Sequence, residues 1–271
     1  MAKDNPKEMS FLGHLEELRW LLVRSTAAIL IGASLSFFVS DYIFNEIIFA
    51  PKDVDFVTYR FFCDLSQKFG LDDSLCVEEM PFIIQNVNMG GQVSILIWIC
   101  IISGLIISFP FILWEIWKFI KPALYENEKK NALSFIIASS FLFFLGVLFG
   151  YFVIVPLSVF FFGTFQVSTE VVNEFNLESY IGLIKTSVIA CGLLFELPII
   201  IYFLSKLGLV TPAFLRKYWK YTLIIVLILA AIITPPDILS QIIVTIPIMI
   251  LYEVSIFISY LVQRKELKKS K

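Results

Sequence analysis

Charge is scarce in this chain: only 16% of its 271 residues are Asp, Glu, Lys or Arg, against about 25% in an ordinary soluble domain. A polar shell cannot be built from so few charged groups. With 58% hydrophobic and 16% aromatic residues and a mean hydropathy of +0.85, most of the chain is expected to face lipid. Metal-ligating side chains are scarce as well. The single histidine, His14, and four cysteines standing apart at Cys63, Cys76, Cys100 and Cys191 offer no Cys-x-x-Cys or His-rich spacing, so neither a metal nor a cofactor is expected. Missing too are the His-Glu-x-x-His, Gly-x-Ser-x-Gly and phosphate-binding glycine motifs of enzymes. His14 lies too near an aqueous end to form an intramembrane dyad, which makes an enzyme the weakest functional class. A net charge of −2 hides a strong spatial asymmetry and says little about partners by itself, and nothing in the composition suggests nucleic acid. No small-residue cleavage site follows the first apolar run, so that run is expected to persist as a helix.

What the chain has in abundance is apolar length. Runs of about 20 residues, enough to cross a ~30 Å hydrocarbon core, extend over Trp20 to Val39, Met89 to Leu113, Ala132 to Val155, Tyr180 to Leu204 and Ile238 to Val262. A further run, Tyr221 to Thr234, has roughly 14 residues and would rise only ~21 Å. Charge decides how to read it. Most Lys and Arg fall before the first run (Lys3, Lys7, Arg19, with Arg24 just inside it), between the second and third (Lys118, Lys121, Lys129, Lys130), before the short run (Lys206, Arg216, Lys217, Lys220) and in the tail (Arg264, Lys265, Lys268, Lys269, Lys271). The remaining connections hold only Lys52, Arg60 and Lys68 among carboxylates such as Asp41, Asp53, Asp55 and Glu79. By the positive-inside rule both termini are cytoplasmic, and the last two runs must enter and return as a pair.

The expectation is therefore an all-α integral membrane protein. It is one domain over 1–271, with six transmembrane helices near 20–40, 89–113, 132–156, 180–204, 221–234 and 238–262 in a concave bundle. Helices five and six are expected to be short, with Thr234-Pro235-Pro236-Asp237 closing their turn and Pro247 kinking or shortening the sixth. Residues 41–88 form a long extracytoplasmic loop holding Cys63 and Cys76, which either bridge on that oxidising side or remain two buried thiols. Cys100 and Cys191 read as small core residues.

A few residues break the apolar pattern. Glu196 lies within the fourth run, where an ionised carboxylate costs ~2.5–3.5 kcal/mol on insertion scales. It must face protein or water, as a proton relay, a gate, a polar face for a partner helix, or a protonated structural glutamate. Lys185 on the same run is expected to snorkel. Glu253 poses the same question as Glu196 in the sixth. On the cytoplasmic side, Glu16 and Glu17 precede the first helix and Glu126 and Glu128 precede the third. Carboxylates there either complement helix dipoles, for ~0.3–1 kcal/mol each, or bind guanidinium groups in bidentate fashion.

Taken in order, several stretches resemble the TatC family, the multi-spanning receptor subunits of the twin-arginine protein translocase. They are His14-Leu15-Glu16-Glu17-Leu18-Arg19, Phe109-Pro110-Phe111-Ile112-Leu113, Trp117-Lys118-Phe119-Ile120-Lys121-Pro122-Ala123-Leu124-Tyr125 with Glu128-Lys129, Gly150-Tyr151-Phe152, Phe195-Glu196-Leu197-Pro198, and Thr234-Pro235-Pro236-Asp237 with Ser240-Gln241. Each motif is weak alone, but their order and spacing cover nearly the whole chain. The resemblance implies a receptor in the bacterial cytoplasmic (inner) membrane. It would bind twin-arginine signal peptides of folded cargo and assemble with single-span TatA- and TatB-type partners and with copies of itself. Transport would be driven by the protonmotive force. By motif position, Glu17, Glu128, Phe119 and Arg19 fall in the signal-peptide patch, while Glu196, Thr234 and Gln241 fall at intramembrane polar positions associated with partner docking. The chain departs from the family's common pattern in having Trp20 and Leu21 after Arg19, Lys129 where arginine is common, and a longer first outer loop. The rival reading is a proton-coupled secondary transporter with Glu196 as its site; such proteins usually carry repeated halves, and no repeat is evident here.

Overall fold

In lipid every backbone N–H and C=O must find its partner within the protein, so apolar runs become helices. The computed structural model describes residues 11–68, 76, 79–121, 132–168, 170–234 and 238–269. In chain order these form α1 (Phe11–Phe38), α2 (Val57–Lys68), β1 (Phe82–Gln85), α3 (Gly91–Ile120), and α4 (Ala132–Phe149), which runs through a π-helical turn, Gly150–Ile154, into α5 (Val155–Thr164). There follow β2 (Asn173–Asn176), α6 (Leu177–Leu194), α7 (Leu197–Lys206), α8 (Pro212–Lys217), α9 (Trp219–Ile233) and α10 (Ile238–Lys269). Among the described residues five stretches are long and apolar enough to cross a membrane, namely Gly13–Phe38, Gly91–Ile120, Leu133–Thr164, Leu177–Lys206 and Ser240–Arg264, and Trp219–Ile233 is a shorter apolar sixth.

The six-helix reading holds, with one correction of length. The fifth helix is short at 15 residues, but the sixth is not: α10 runs for 32 residues with Pro247 inside it. A proline removes one helical hydrogen bond, but leaving the helix in lipid would strand many more backbone groups, so the helix carries on through it. The turn residues Pro235, Pro236 and Asp237 lie outside the described residues.

The chain divides into two compact units, Met1–Asp41 with Leu96–Phe141 and Tyr42–Ile95 with Leu142–Lys271. In the first unit α1 lies antiparallel against α3. A Cβ built on Gly104 would sit 2.5 Å from the Ile29 carbonyl oxygen and from the Ala33 nitrogen, so only glycine permits this approach of the two backbones. One turn away the Ser108 hydroxyl donates to the Ala28 carbonyl at 2.8 Å.

In the second unit the described part of the connection before α3 carries a helix and a strand of its own. Cys63, midway along α2, is bridged to Cys76, with Cα atoms 4.5 Å apart. The bridge closes a separation of 13 residues, and a loop of that size corresponds to about 3 kcal/mol of chain-entropy stabilisation. Reduction, or a Cys63→Ser, Cys76→Ser variant, is expected to lower the thermal unfolding midpoint accordingly, read by differential scanning fluorimetry with and without reductant. Strand β1 pairs in parallel with β2, Phe82 opposite Asn173 and Gln85 opposite Asn176. The Gln85 amide donates to Glu174 at 2.8 Å and the Asn88 amide to Glu178 at 3.1 Å.

The Tyr59 hydroxyl lies within hydrogen-bond reach of the carbonyls of Pro51 at 2.9 Å and Pro156 at 3.0 Å, tying α2 to the start of α5. Burial, with a smaller contribution from Tyr180, pushes the Tyr59 phenol well above its ordinary value of 10.0. The unfolded phenol ionises near pH ~10 while the folded one keeps its proton, so stability should be full below that pH and fall by about 1.4 kcal/mol per pH unit above it. Thermal melts across this range, compared with Tyr59→Phe, which should show a shallower decline, measure the effect.

Further along, Ile154, Cys191, Val226, Ala230, Val244 and Ile248 form a buried cluster that packs the π-turn and α6 against α9 and α10. A Cβ on Gly146 would meet the Cys191 carbonyl oxygen at 2.5 Å, so α4 and α6 touch backbone to backbone. Helix α7 ends at Gly208, whose φ of 71° is the left-handed conformation of a helix C-terminus. Thr211 then caps α8 by accepting from the Phe214 N–H at 3.2 Å.

Candidate functional site

At the N-terminal end of α1, helical spacing places His14 and Glu17 three residues apart and so on one face. That face meets the far end of α3: the His14 and Phe119 rings stack with centroids 4.3 Å apart and planes 22° from parallel. Phe119 and Glu17 are half-buried, while Glu16 and Arg19 are exposed. Oε2 of Glu17 is buried and accepts no hydrogen bond from the described residues. An orphaned buried acceptor costs about 1–3 kcal/mol, more when charged, so what this position lacks is a donor. A guanidinium supplies one in the strongest form. Glu128, the second acid of the predicted patch, and Glu126 lie outside the described residues.

One element of this end escaped the sequence reading. Glu115 on α3 is only 4% exposed, and its carboxylate is held by Arg24 Nη1 at 3.3 Å and Lys118 Nζ at 2.5 Å. Arg24 comes from α1 and Lys118 from the next turn of α3, so the acid bolts the two helices together. The i,i+3 spacing of Glu115 and Lys118 was the available signal. The Arg24 partnership, across 91 residues, had none.

The intramembrane positions sit in the second unit. Glu196 is 7% exposed and stands at the break between α6 and α7, in the N-cap position of α7. Pro198 makes the break, since it offers no N–H to the preceding turn. The positive end of the α7 dipole then faces the Glu196 position, which favours a carboxylate there. The N–H groups of Ile199 and Ile200 bond the Glu196 carbonyl, both at 3.0 Å. Thr234 is buried at the end of α9, its hydroxyl donating to the Ala230 carbonyl at 2.9 Å. The Gln241 amide donates to the Leu227 carbonyl at 3.0 Å, tying α10 back to α9. Glu253 is exposed and accepts from the Trp219 indole at 2.6 Å. Lys185 is half-buried on α6.

A family model described as Sec-independent protein translocase protein (TatC) matches residues 13–247. The chain belongs to the TatC family. Curated TatC proteins align along almost its whole length. The Sec-independent protein translocase protein TatC of Blattabacterium sp. subsp. Periplaneta americana (strain BPLAN) is 44% identical over 97% of this chain and 100% of its own. That of Aquifex aeolicus (strain VF5) is 34% identical over 95% and 98%. A crystal structure of a twin arginine translocase receptor, TatC, superimposes with a TM-score of 0.69 at 33% identity, covering 92% of this chain and 99% of that one. As a member of the TatC family the chain is a multi-pass membrane protein of the Tat translocase, acting in protein transport and not as an enzyme.

Proposed function

We propose that this chain is the core receptor of a twin-arginine translocation system in a bacterial cytoplasmic membrane, with both termini cytoplasmic. Glu17 and Glu128 receive the two arginines of the signal peptide, beside Phe119 and Arg19. Glu196, Thr234 and Gln241 dock single-span TatA- and TatB-type partners, and copies of the chain assemble within the same complex. Folded cargo is then exported with the protonmotive force. The observation that carries the signal-peptide assignment is the buried, donor-less Oε2 of Glu17, on the same helix face as the His14–Phe119 stack. Lysine offers a point charge and cannot reproduce the guanidinium fork, which accounts for a demand for arginine.

Site-specific crosslinking of a twin-arginine peptide tests the assignment. A Glu17→Ala, Glu128→Ala variant should lose most of the crosslink while still co-purifying its single-span partners. Undiminished crosslinking would reject the two acids as the arginine site.

A further inference from the structure

The cluster around Glu115 holds more positive charge than it neutralises. One carboxylate faces two cations, and about half of each cationic side chain stays exposed, 54% for Arg24 and 47% for Lys118. A guanidinium carries five N–H donors and an ammonium three, and Glu115 occupies a small part of them. Each cation also lies beside a tryptophan four residues earlier on its own helix. Arg24 Cζ is 5.9 Å from the Trp20 ring and Lys118 Nζ is 5.7 Å from the Trp114 ring. Both indoles are themselves open, 50% and 44% exposed.

The depth of this group follows from helix length. The candidate span of α1 has 26 residues and that of α3 has 30, whereas about 20 cross the hydrocarbon, so both overhang it. Trp20 opens the first apolar run and Trp114 directly follows the second. These four side chains therefore stand at the border between acyl chains and headgroups, where tryptophan is enriched. Arg19, Lys121 and Glu16 lie exposed on the aqueous side of it. A cation pair at that depth is flanked by apolar surface, and the anion within reach is a lipid phosphate.

We propose that Arg24 and Lys118, held in place by Glu115 and flanked by Trp20 and Trp114, bind the phosphate of an anionic phospholipid in the leaflet next to the N-terminus. The phosphodiester oxygens accept from both cations, the indoles cover the headgroup edge, and Glu115 fixes the spacing of the two cations. A net negative headgroup is favoured over a zwitterionic one, because the site carries a net positive charge.

Native mass spectrometry of the full-length protein in detergent, titrated with phosphatidylglycerol or phosphatidylcholine, tests this. The wild type should prefer phosphatidylglycerol, and the neutral variant Arg24→Gln, Glu115→Gln, Lys118→Gln, which takes the cluster from a net charge of one to none, should lose about fivefold of that preference. Glu115→Gln alone keeps both cations and removes their counter-charge, so it should raise the preference by a similar factor. An internal ion pair with no lipid role predicts unchanged lipid binding in both variants, and that result overturns the site. Displacement of phosphatidylglycerol by inorganic phosphate would overturn the lipid as occupant and reassign the pocket to a free anion. Should the neutral variant not fold, the direction of change in Glu115→Gln decides the matter.

Discussion

Removing both cations from the Glu115 cluster, as Arg24→Ala with Lys118→Ala, is expected to destabilise the protein by about 3 kcal/mol, while neutralising all three residues together costs much less. The reason lies in which group is buried. Glu115 is 4% exposed, whereas its partners keep about half their surface. Stripping the cations leaves a carboxylate that has given up water and received nothing, and it must either stay charged at high cost or take up a proton. Replacing Glu115 as well removes the group that pays the desolvation cost, and the cations, already half in water, tolerate its loss. The effects are therefore strongly non-additive. Thermal unfolding of the double and triple variants in one detergent checks this. A double variant as stable as the wild type would mean that the α1–α3 contact rests on the Gly104 approach, the Ser108 hydrogen bond and the His14–Phe119 stack without help from the ion cluster.

That cluster also marks where the sequence stopped being informative. Hydropathy located the membrane spans because insertion depends on summed transfer energy over about 20 residues. It misjudged their ends because helical hydrogen bonding does not stop at the lipid border. Thus α1 starts at Phe11, ahead of Trp20, and α3 continues to Ile120, past Leu113. The β1–β2 pairing joins residues 82–85 to 173–176, and four-residue strands in an apolar chain have no periodicity to distinguish them. Pro198 and Pro247 have the same local signature and opposite outcomes. The first accompanies a helix break at Glu196, where the chain turns between α6 and α7. The second sits inside an unbroken helix. Packing against neighbours decides between these, and a single sequence does not carry it. The individual acids were legible as misfits in basic or apolar surroundings, but their partners were not. On physical grounds Glu17 and Glu16 looked equivalent, and only the family resemblance favoured Glu17; in the structure their burial differs.

The inequality of Glu17 and Glu16 gives the other large expected effect. They are adjacent on α1 and so point about 100° apart around the helix. Glu17 is half-buried on the side of His14 and Phe119, with Oε2 enclosed and unpartnered, and Glu16 is exposed. A guanidinium bonding to a partly desolvated carboxylate contributes about 1.5–3 kcal/mol, so Glu17→Ala should weaken binding of a twin-arginine peptide by about 10- to 150-fold. An exposed ion pair contributes about 0–1 kcal/mol, and Glu16→Ala should change the affinity by less than about fivefold. Fluorescence anisotropy of a labelled peptide with the full-length protein in detergent measures both. A twin-lysine peptide adds the decisive arm. Because lysine does not use the fork, its weaker binding should drop less on Glu17→Ala than that of the arginine peptide, and the difference is the energy of the bidentate contact. Equal losses for the two peptides would mean that Glu17 contributes only net charge, and the enclosed geometry around Oε2 would then have no part in choosing arginine.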